Sequence, residues 1–302
     1  MAHDDASARA VLYALLANLG IAIAKTWAAW FTGSGSMLAE AIHSYADAGN
    51  QVLLFIGMRQ ARRPADAEHP LGYGKLSYFW SFIVALLLFS VGGLFSIYEG
   101  IHKLTAPEPL NAPWVGMAVL AAAIVLEALS LAGALREIGR LRGNRPLSEW
   151  LRHTRNAELV VVLGEDIAAL VGLVVAFAFL GLTVLSGDPL YDALGSIVIG
   201  VVLVAVSMFI ARRIRGLLVG RSAEPALREV IERIIAADPA IDRVLNTITV
   251  QMGPKVMLAA KIAMRRDLGI EDAVARINEL ERRLKAEAPQ IGWCFIEPDL
   301  RD

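Results

Sequence analysis

The segment EAIHSYADAGNQ, residues 40–51, places several polar side chains inside an apolar stretch of the chain. At about 100° per residue, Glu40, His43, Asp47, Asn50 and Gln51 share about a quarter of the circumference of one helix. Because polar groups exposed to lipid are costly, this face must point into a helix bundle or a cavity. An imidazole nitrogen of His43 and a carboxylate oxygen of Asp47, one turn apart, make half of a tetrahedral site for a divalent cation. The alternative interpretation is a cluster of hydrogen bonds between packed helices.

A second pair of candidate ligands lies in LVVVLGEDIAALVGL, residues 159–173, where Glu165 and Asp166 are adjacent acids in an apolar run. Adjacent helical residues point about 100° apart, so both carboxylates cannot face one ion equally well. Val162 stands one turn before Asp166 and has no donor atom. This segment therefore predicts the other half of the site with one position that cannot bind the ion directly.

Other charged residues also lie within apolar runs: Lys25, Glu99 and Glu127. Each is costly in a membrane unless it is paired. We therefore expect a structural salt bridge between Lys25 and either Glu127 or Glu165.

A polar loop, PADAEHPLGYGKL, follows the first polar helix. Asp66 and His69 are three residues apart and could bind a second cation, while Gly72 and Gly74 allow a tight backbone path. The alternative is that both side chains are only solvated, as is usual in a loop.

The composition indicates a membrane protein, since 56% of the 302 residues are hydrophobic and the mean hydropathy is +0.52, above the usual range of a soluble domain. Six apolar runs are long enough to cross about 30 Å of hydrocarbon, near residues 9–31, 37–58, 78–104, 112–136, 157–185 and 189–211. A buried helical core is the alternative. The first residues lack the basic start of a secretory signal, so we expect the first run to remain as a membrane helix.

Partners are limited by charge and cysteine content. The net charge of −1 gives no indication of nucleic-acid binding, and the single cysteine, Cys294, excludes an intrachain disulfide and a cysteine-based zinc site. No cofactor is predicted. The expected partners are the lipid bilayer and a cation.

Lysine and arginine residues collect in alternate loops, which sets the orientation. One group follows the second run, a larger group follows the fourth, and a third follows the sixth: Arg59, Arg62, Arg63, Lys75; Arg136, Arg140, Arg142, Arg145, Arg152, Arg155; Arg212, Arg213, Arg215. The opposite loops, TGSGS and SGDPLYD, contain none. Both termini are therefore predicted to be cytoplasmic.

The chain becomes soluble in composition after about residue 216. Two amphipathic segments, EPALREVIERIIAA and IEDAVARINELERRLKAEA, predict helices, and RVLNTITVQM, KVMLAAKIAM and GWCFIEP predict strands, the first two around Gly253-Pro254. The predicted order is αββαβ, a small α+β domain. The whole organisation is then a cytoplasmic tail (1–8), a six-helix transmembrane domain (9–215) and a cytoplasmic C-terminal domain (216–302).

These features together resemble the cation diffusion facilitators, the zinc-transporter family of cation efflux proteins. The resemblance rests on six spans, the ligand pair in span two, the acids in span five, the D-x-x-H-P-x-G-x-G-K loop and the αββαβ tail, and it covers essentially the whole chain. It implies proton-coupled exchange of a divalent transition-metal ion, a homodimer, and a metallochaperone-like cytoplasmic domain.

Carried over by position, the resemblance implies that His43 and Asp47 are the ligands of span two, and that Val162 and Asp166 occupy the ligand positions of span five. Glu165 beside Asp166 resembles the branch related to the animal mitochondrial member. The family's loop ligands, one Asp and two His, fall on Asp66, His69 and Tyr73. Tyr73 stands in place of a histidine, so one ligand is lost in the loop as well.

The tail departs further from the family, because the five histidines are His3, His43, His69, His102 and His153 and Phe295 stands where a histidine is common. We therefore expect the tail to dimerise without binding metal.

The implied mechanism is alternating access around His43, Asp47 and Asp166, with Glu165, Glu40 or water completing the shell. A His and carboxylate set favours Zn²⁺ but leaves Co²⁺, Fe²⁺, Mn²⁺ and Ni²⁺ open. An intramembrane metalloprotease is disfavoured because the chain lacks H-E-x-x-H. A non-transporting dimer partner or scaffold remains the alternative, because Val162 removes a usual ligand. The expected location is the inner or plasma membrane of a cell.

Overall fold

The computed structural model describes residues 18–106, 110 and 112–301. Its first part is helical, and the helices are α1 (residues 18–32), α2 (Gly35–Ala61), α3 (Leu76–Leu87), α4 (Phe95–Thr105), α5 (Pro113–Arg142), α6 (Leu147–His153), α7 (Ala157–Ser186) and α8 (Leu190–Val219). A π-helical stretch, Leu88–Leu94, joins α3 to α4, so the two form one continuous helix.

Four helices are long and apolar enough to cross a membrane: Leu76–Thr105, α5, α7 and α8. Each has 30 residues and contains an 18-residue stretch with a mean hydropathy between 2.1 and 2.7, and 30 residues of α-helix span about 45 Å. The predicted α-helical membrane protein is thereby confirmed for four spans. The polar stripe lowers the hydropathy of α2, and of the predicted first span only residues 18–31 are described. The predicted tail 1–8 lies outside the described residues.

Two helices extend beyond their predicted ends. α5 continues to Arg142 and α8 to Val219, past the predicted positions 136 and 211. The added turns contain arginines, whose charged groups favour an aqueous environment. A helix predicted from the apolar run alone therefore ends before the real helix does. The short helix α6 was not predicted.

Glycines allow the Leu76–Thr105 helix to approach α8 closely. A Cβ at Gly93 would lie 2.7 Å from the Val204 side chain, and one at Gly100 would lie 2.7 Å from the Ala193 carbonyl oxygen. Small residues at helix interfaces permit such backbone contact in membranes.

The C-terminal region has the predicted αββαβ order: α9 (Pro225–Ala236), β1 (Ile241–Met252), β2 (Lys255–Met264), α10 (Ile270–Glu287) and β3 (Ile291–Pro298). β1 and β2 pair antiparallel around the predicted Gly253-Pro254 turn, and β3 pairs parallel to β2 after the crossover through α10. Both helices pack on one face of the sheet around Ile231, Ile234, Ile235, Leu258, Ala260, Ile262, Leu280, Leu284 and Ile291.

The chain divides into two compact units. The first contains the described residues up to 57 together with 80–144 and 158–214, and the second contains 58–79, 145–157 and the residues from 215 onward. Within the second unit, Arg155 donates to the carbonyl oxygens of Ser222 at 2.7 Å and Ala223 at 3.1 Å. Two basic segments, 58–79 and 145–157, thus belong to the same compact unit as the C-terminal region.

Candidate metal centre

The predicted pair on α2 lies close together, with His43 buried and Asp47 partly buried. His43 is fully buried, and its Nε2 lies 3.5 Å from Oδ2 of Asp47. Two ligands held about 2.0–2.1 Å from one tetrahedral ion lie about 3.3 Å apart. Both ring nitrogens of His43 and Oδ1 of Asp47 are buried without a hydrogen-bond partner among the described residues. The pair therefore has the separation and the free donor atoms of two metal ligands.

The acids of α7 have different surroundings. Oδ2 of Asp166 is also buried and unpartnered within the described part of the chain. Glu165 is 5% exposed and accepts a hydrogen bond of 2.6 Å from Nδ2 of Asn50. α7 is a continuous α-helix, and Gly164 packs against the Ile210 side chain of α8. No local distortion turns Glu165 toward the face of Asp166.

Asn50 thus links α2 to α7, a contact that sequence reasoning did not assign. The residue belongs to the polar stripe, and its spacing of three from Asp47 and seven from His43 places it on the ligand face. That spacing was the available signal. The partner on α7 could not be identified from it, because the two residues are 115 positions apart.

The buried lysine has a different partner from the predicted ones. Lys25 of α1 lies 3.1 Å from Oε2 of Glu40 and donates to Oγ of Ser44 at 2.7 Å. The prediction of Glu127 or Glu165 was wrong, because sequence alone does not determine which acid α1 meets. The other oxygen of Glu40 lies against α7, where a Cβ at Gly172 would be 2.5 Å from it. One carboxylate oxygen of Glu40, Oε2, is therefore paired with Lys25.

Acids from three helices interact within this region. Glu127 of α5 acts electrostatically on Asp47 and on Asp166, and Glu165 acts on Asp47. Carboxylates that share a membrane interior repel one another and favour a bound cation. The region is therefore suited electrostatically to a divalent ion.

The ligands do not form a complete shell, however. No group of three His, Cys, Asp or Glu side chains is close enough to hold a metal ion within the residues that the structure covers. The structure instead has two half-sites, His43 with Asp47 on α2 and Asp166 beside Glu165 on α7, joined through Asn50.

A buried carboxylate of α8 fixes the beginning of α2. Asp192 is 1% exposed and accepts hydrogen bonds of 2.6 Å from both the Ser34 hydroxyl and the Gly35 amide, as well as one from the Ser36 hydroxyl. Negative charge at a helix N-terminus is favourable. Lys103 of α4 donates to the Gly33 carbonyl oxygen. These contacts hold the helix that carries His43 and Asp47.

The loop after α2 contains the predicted Asp66 and His69 pair, with Nδ1 of His69 3.6 Å from Oδ1 of Asp66. Tyr73 donates to Oδ2 of Asp66 at 2.6 Å, and its ring lies 4.2 Å from the ring of His69. The hydrogen bond lowers the pKa of Asp66 and raises the pKa of Tyr73. Tyr73 therefore occupies a carboxylate oxygen that a metal would need, and a cation site in the loop remains only a prediction.

The exposed face of the C-terminal sheet includes Phe295, which is 56% exposed. The neighbouring Cys294 points into the core, and burial raises the pKa of its thiol to about 11. A thiol that stays protonated at neutral pH is a poor metal ligand.

Long apolar helices and a buried His–Asp pair define an integral membrane protein with a candidate site for a divalent cation. Residues 11–219 match the cation efflux transmembrane domain, which is more than half of the chain. The chain therefore belongs to the cation efflux family, and the resemblance to the cation diffusion facilitators is confirmed. This is a family of transporters and not of enzymes.

Individual relatives support the same assignment. The chain is 35% identical to the mitochondrial proton-coupled zinc antiporter SLC30A9 of Xenopus laevis, over 84% of this chain and 45% of that protein. It is 31% identical to metal tolerance protein C4 of Arabidopsis thaliana, over 83% and 56%. It is 27% identical to the cation-efflux pump FieF of Cronobacter sakazakii, over 96% and 92%. The chain spans about half the length of the first two relatives and nearly all of the third.

Proposed function

We propose that the protein exports a divalent transition-metal cation, foremost Zn²⁺, in exchange for protons. The observation that carries the proposal is the buried pair of His43 and Asp47, 3.5 Å apart with unpartnered donor atoms among the described residues. Asp166 contributes from α7. The names of the relatives, a proton-coupled zinc antiporter and a cation-efflux pump, support the same substrate class.

Transport follows from ligands that lie on different helices. We propose six spans, formed by α1, α2, α3 with α4, α5, α7 and α8. An ion that binds between α2 and α7 brings the two half-sites together, and release separates them, which couples occupancy to alternating access. Imidazole and carboxylate must be deprotonated to bind metal, so protons and the ion compete for the same groups.

Both termini are proposed to be cytoplasmic, and the protein is proposed to act as a homodimer in an inner or plasma membrane. The basic loops 58–79 and 145–157 belong to the same compact unit as the C-terminal region, which supports a common cytoplasmic side. The sheet leaves Ile248 52% and Phe295 56% exposed. These apolar side chains support a dimer contact through the C-terminal domain.

A non-transporting dimer partner is the second candidate. It is favoured by Val162 and by the lack of a three-residue His, Cys, Asp or Glu group in the described part of the chain. The two candidates differ in whether zinc crosses the membrane.

Zinc flux into proteoliposomes tests the proposal. Asp47→Ala and His43→Ala should reduce zinc entry to the rate of protein-free liposomes, because each removes a metal ligand and leaves no donor atom in its place. Glu137→Ala is the matched control, since Glu137 is exposed and pairs only with Arg140 in the described contacts. Wild-type protein that is folded and inserted but moves no zinc would instead support the scaffold.

A further inference from the structure

We infer that Asn50 supplies a further oxygen ligand to the transported ion, and that Glu165 is the positioning residue that turns the Asn50 amide toward it. This assignment rests on the proposed function. Under this assignment Glu165 does not bind the ion directly but acts through Asn50 of α2.

The helical period places Asn50 beside the established candidates. His43, Asp47 and Asn50 are separated by four and three residues, so their Cα positions fall within about 60° around the helix axis. All three lie on one continuous helix, Gly35–Ala61. A donor atom on Asn50 therefore shares a face with the imidazole and the first carboxylate.

The hydrogen bond to Glu165 determines which atom of the amide is free. Nδ2 of Asn50 lies 2.6 Å from Oε1 of Glu165. A carboxyl oxygen that carries no proton only accepts hydrogen bonds, so Oε1 of Glu165 is the acceptor and the NH₂ group of the amide is the donor. The carbonyl oxygen Oδ1 then points away from Glu165. Asn50 is fully buried, and this oxygen has no hydrogen-bond partner within the described part of the chain.

The arrangement accounts for two features of α7. Val162 has no donor atom, so a four-ligand shell needs an atom from elsewhere, and Oδ1 of Asn50 provides it. Glu165 points about 100° away from Asp166 on a regular helix, which does not suit a second ligand from α7 but does suit a residue that holds Asn50. The resulting shell has one imidazole nitrogen, two carboxylate oxygens and one amide oxygen.

Cobalt binding to the purified full-length protein in detergent tests the assignment, with Zn²⁺ as a competitor. The variants are Asn50→Ala, Glu165→Leu and the two combined, and Asn278→Ala is the control because it removes an exposed amide of α10, outside the compact unit that contains the candidate metal centre. Asn50→Ala should weaken metal binding by about tenfold or more and change the visible absorption of bound Co²⁺. Loss of an outer residue that orients a ligand reduces affinity by about 10–100-fold, so Glu165→Leu, which leaves no acceptor for the Asn50 amide, should also weaken binding.

The double variant separates a positioning residue from a ligand. If Glu165 acts through Asn50, adding Glu165→Leu to Asn50→Ala should weaken binding by less than about a further twofold. If Glu165 is itself a ligand, the second substitution should weaken binding as much as it does alone, and the assignment is overturned. Unchanged affinity and an unchanged Co²⁺ spectrum in Asn50→Ala would also overturn it.

A charge-preserving exchange covers the case in which Asn50→Ala does not fold. In Asn50→Asp with Glu165→Gln, the introduced amide donates to the introduced carboxylate, whose second oxygen is left for the ion. Metal binding should exceed that of Glu165→Gln alone, and equal or weaker binding contradicts the inference. A wild-type protein that binds no metal refutes the proposed function itself. If the wild-type protein binds metal and substitution of Asn50 leaves the affinity unchanged, only this inference is refuted.

Discussion

A buried polar group without a hydrogen-bond partner reduces stability by about 1–3 kcal/mol, and the candidate metal centre has several. They are found on His43, Asp47, Asn50 and Asp166, all in unit one of the described chain. Packing alone does not favour such atoms. A bound cation satisfies them, which is why the cluster indicates ligand binding more strongly than a network of interhelical hydrogen bonds would.

Lys25 and Glu40 provide a residue-scale prediction. Breaking a buried ion pair by removing one partner reduces stability by about 3–5 kcal/mol, because the remaining charge is buried and uncompensated. Lys25→Met should therefore lower the thermal unfolding temperature in detergent, and Lys25→Met with Glu40→Gln should recover most of the loss. The control is Lys25→Met with Glu127→Gln, which should recover less because the close contact of 3.1 Å is to Glu40. Equal recovery in both double variants would contradict the assigned pairing.

The individual ligand candidates on α2 were predictable, because the helical period groups polar side chains on one face. The partners of those side chains were not predictable. Lys25 meets Glu40 and Asn50 meets Glu165 through contacts between separate helices, and helix rotation and packing determine such contacts. A single sequence does not contain that information in its spacing.

At the scale of elements, the approach of the loop after α2 to the β1–β2 hairpin depends on glycine. A Cβ at Gly74 would lie 2.3 Å from the Met252 carbonyl oxygen, and Tyr78 donates to the Gly253 carbonyl oxygen at 3.0 Å. The loop and the hairpin belong to the same compact unit. The second glycine of the D-x-x-H-P-x-G-x-G-K motif is thus explained by backbone contact.

Gly74→Ala should displace the loop from the hairpin and lower the unfolding temperature, because the neighbouring atoms are backbone and cannot move aside cheaply. Gly139→Ala is the matched control, since no atom lies within 4 Å of a Cβ there and alanine favours a helix by up to about 1 kcal/mol. Thermal unfolding of both purified variants measures the difference. An unfolding temperature for Gly74→Ala equal to that of the control would mean that the loop does not depend on this contact.

The elements of the C-terminal region were predicted well, because its strands alternate, its helices are amphipathic and Gly253-Pro254 marks the turn. The ends of α5 and α8 were predicted less well, since arginine-bearing turns continue the helix beyond the apolar run. The π-helical stretch Leu88–Leu94 has no signal in the hydropathy pattern. Backbone irregularities of this kind follow from packing between helices.

For the whole molecule, the central question is whether opposing half-sites on α2 and α7 carry an ion across the membrane. Four apolar helices and membership of the cation efflux family agree with transport. In the proposed mechanism, protons and metal compete for the same imidazole and carboxylates, which has a measurable consequence for transport. Movement of the metal in one direction must be accompanied by movement of protons in the other.

The most direct test measures zinc and protons together in proteoliposomes that contain the full-length protein and trapped indicators for both. With an acidic interior, zinc should enter rapidly while the interior becomes more alkaline, and both signals should slow when an ionophore collapses the proton gradient. Asp47→Ala should abolish both. Zinc entry no faster than in protein-free liposomes, or entry at the same rate without a proton gradient, would contradict proton-coupled zinc transport by this protein.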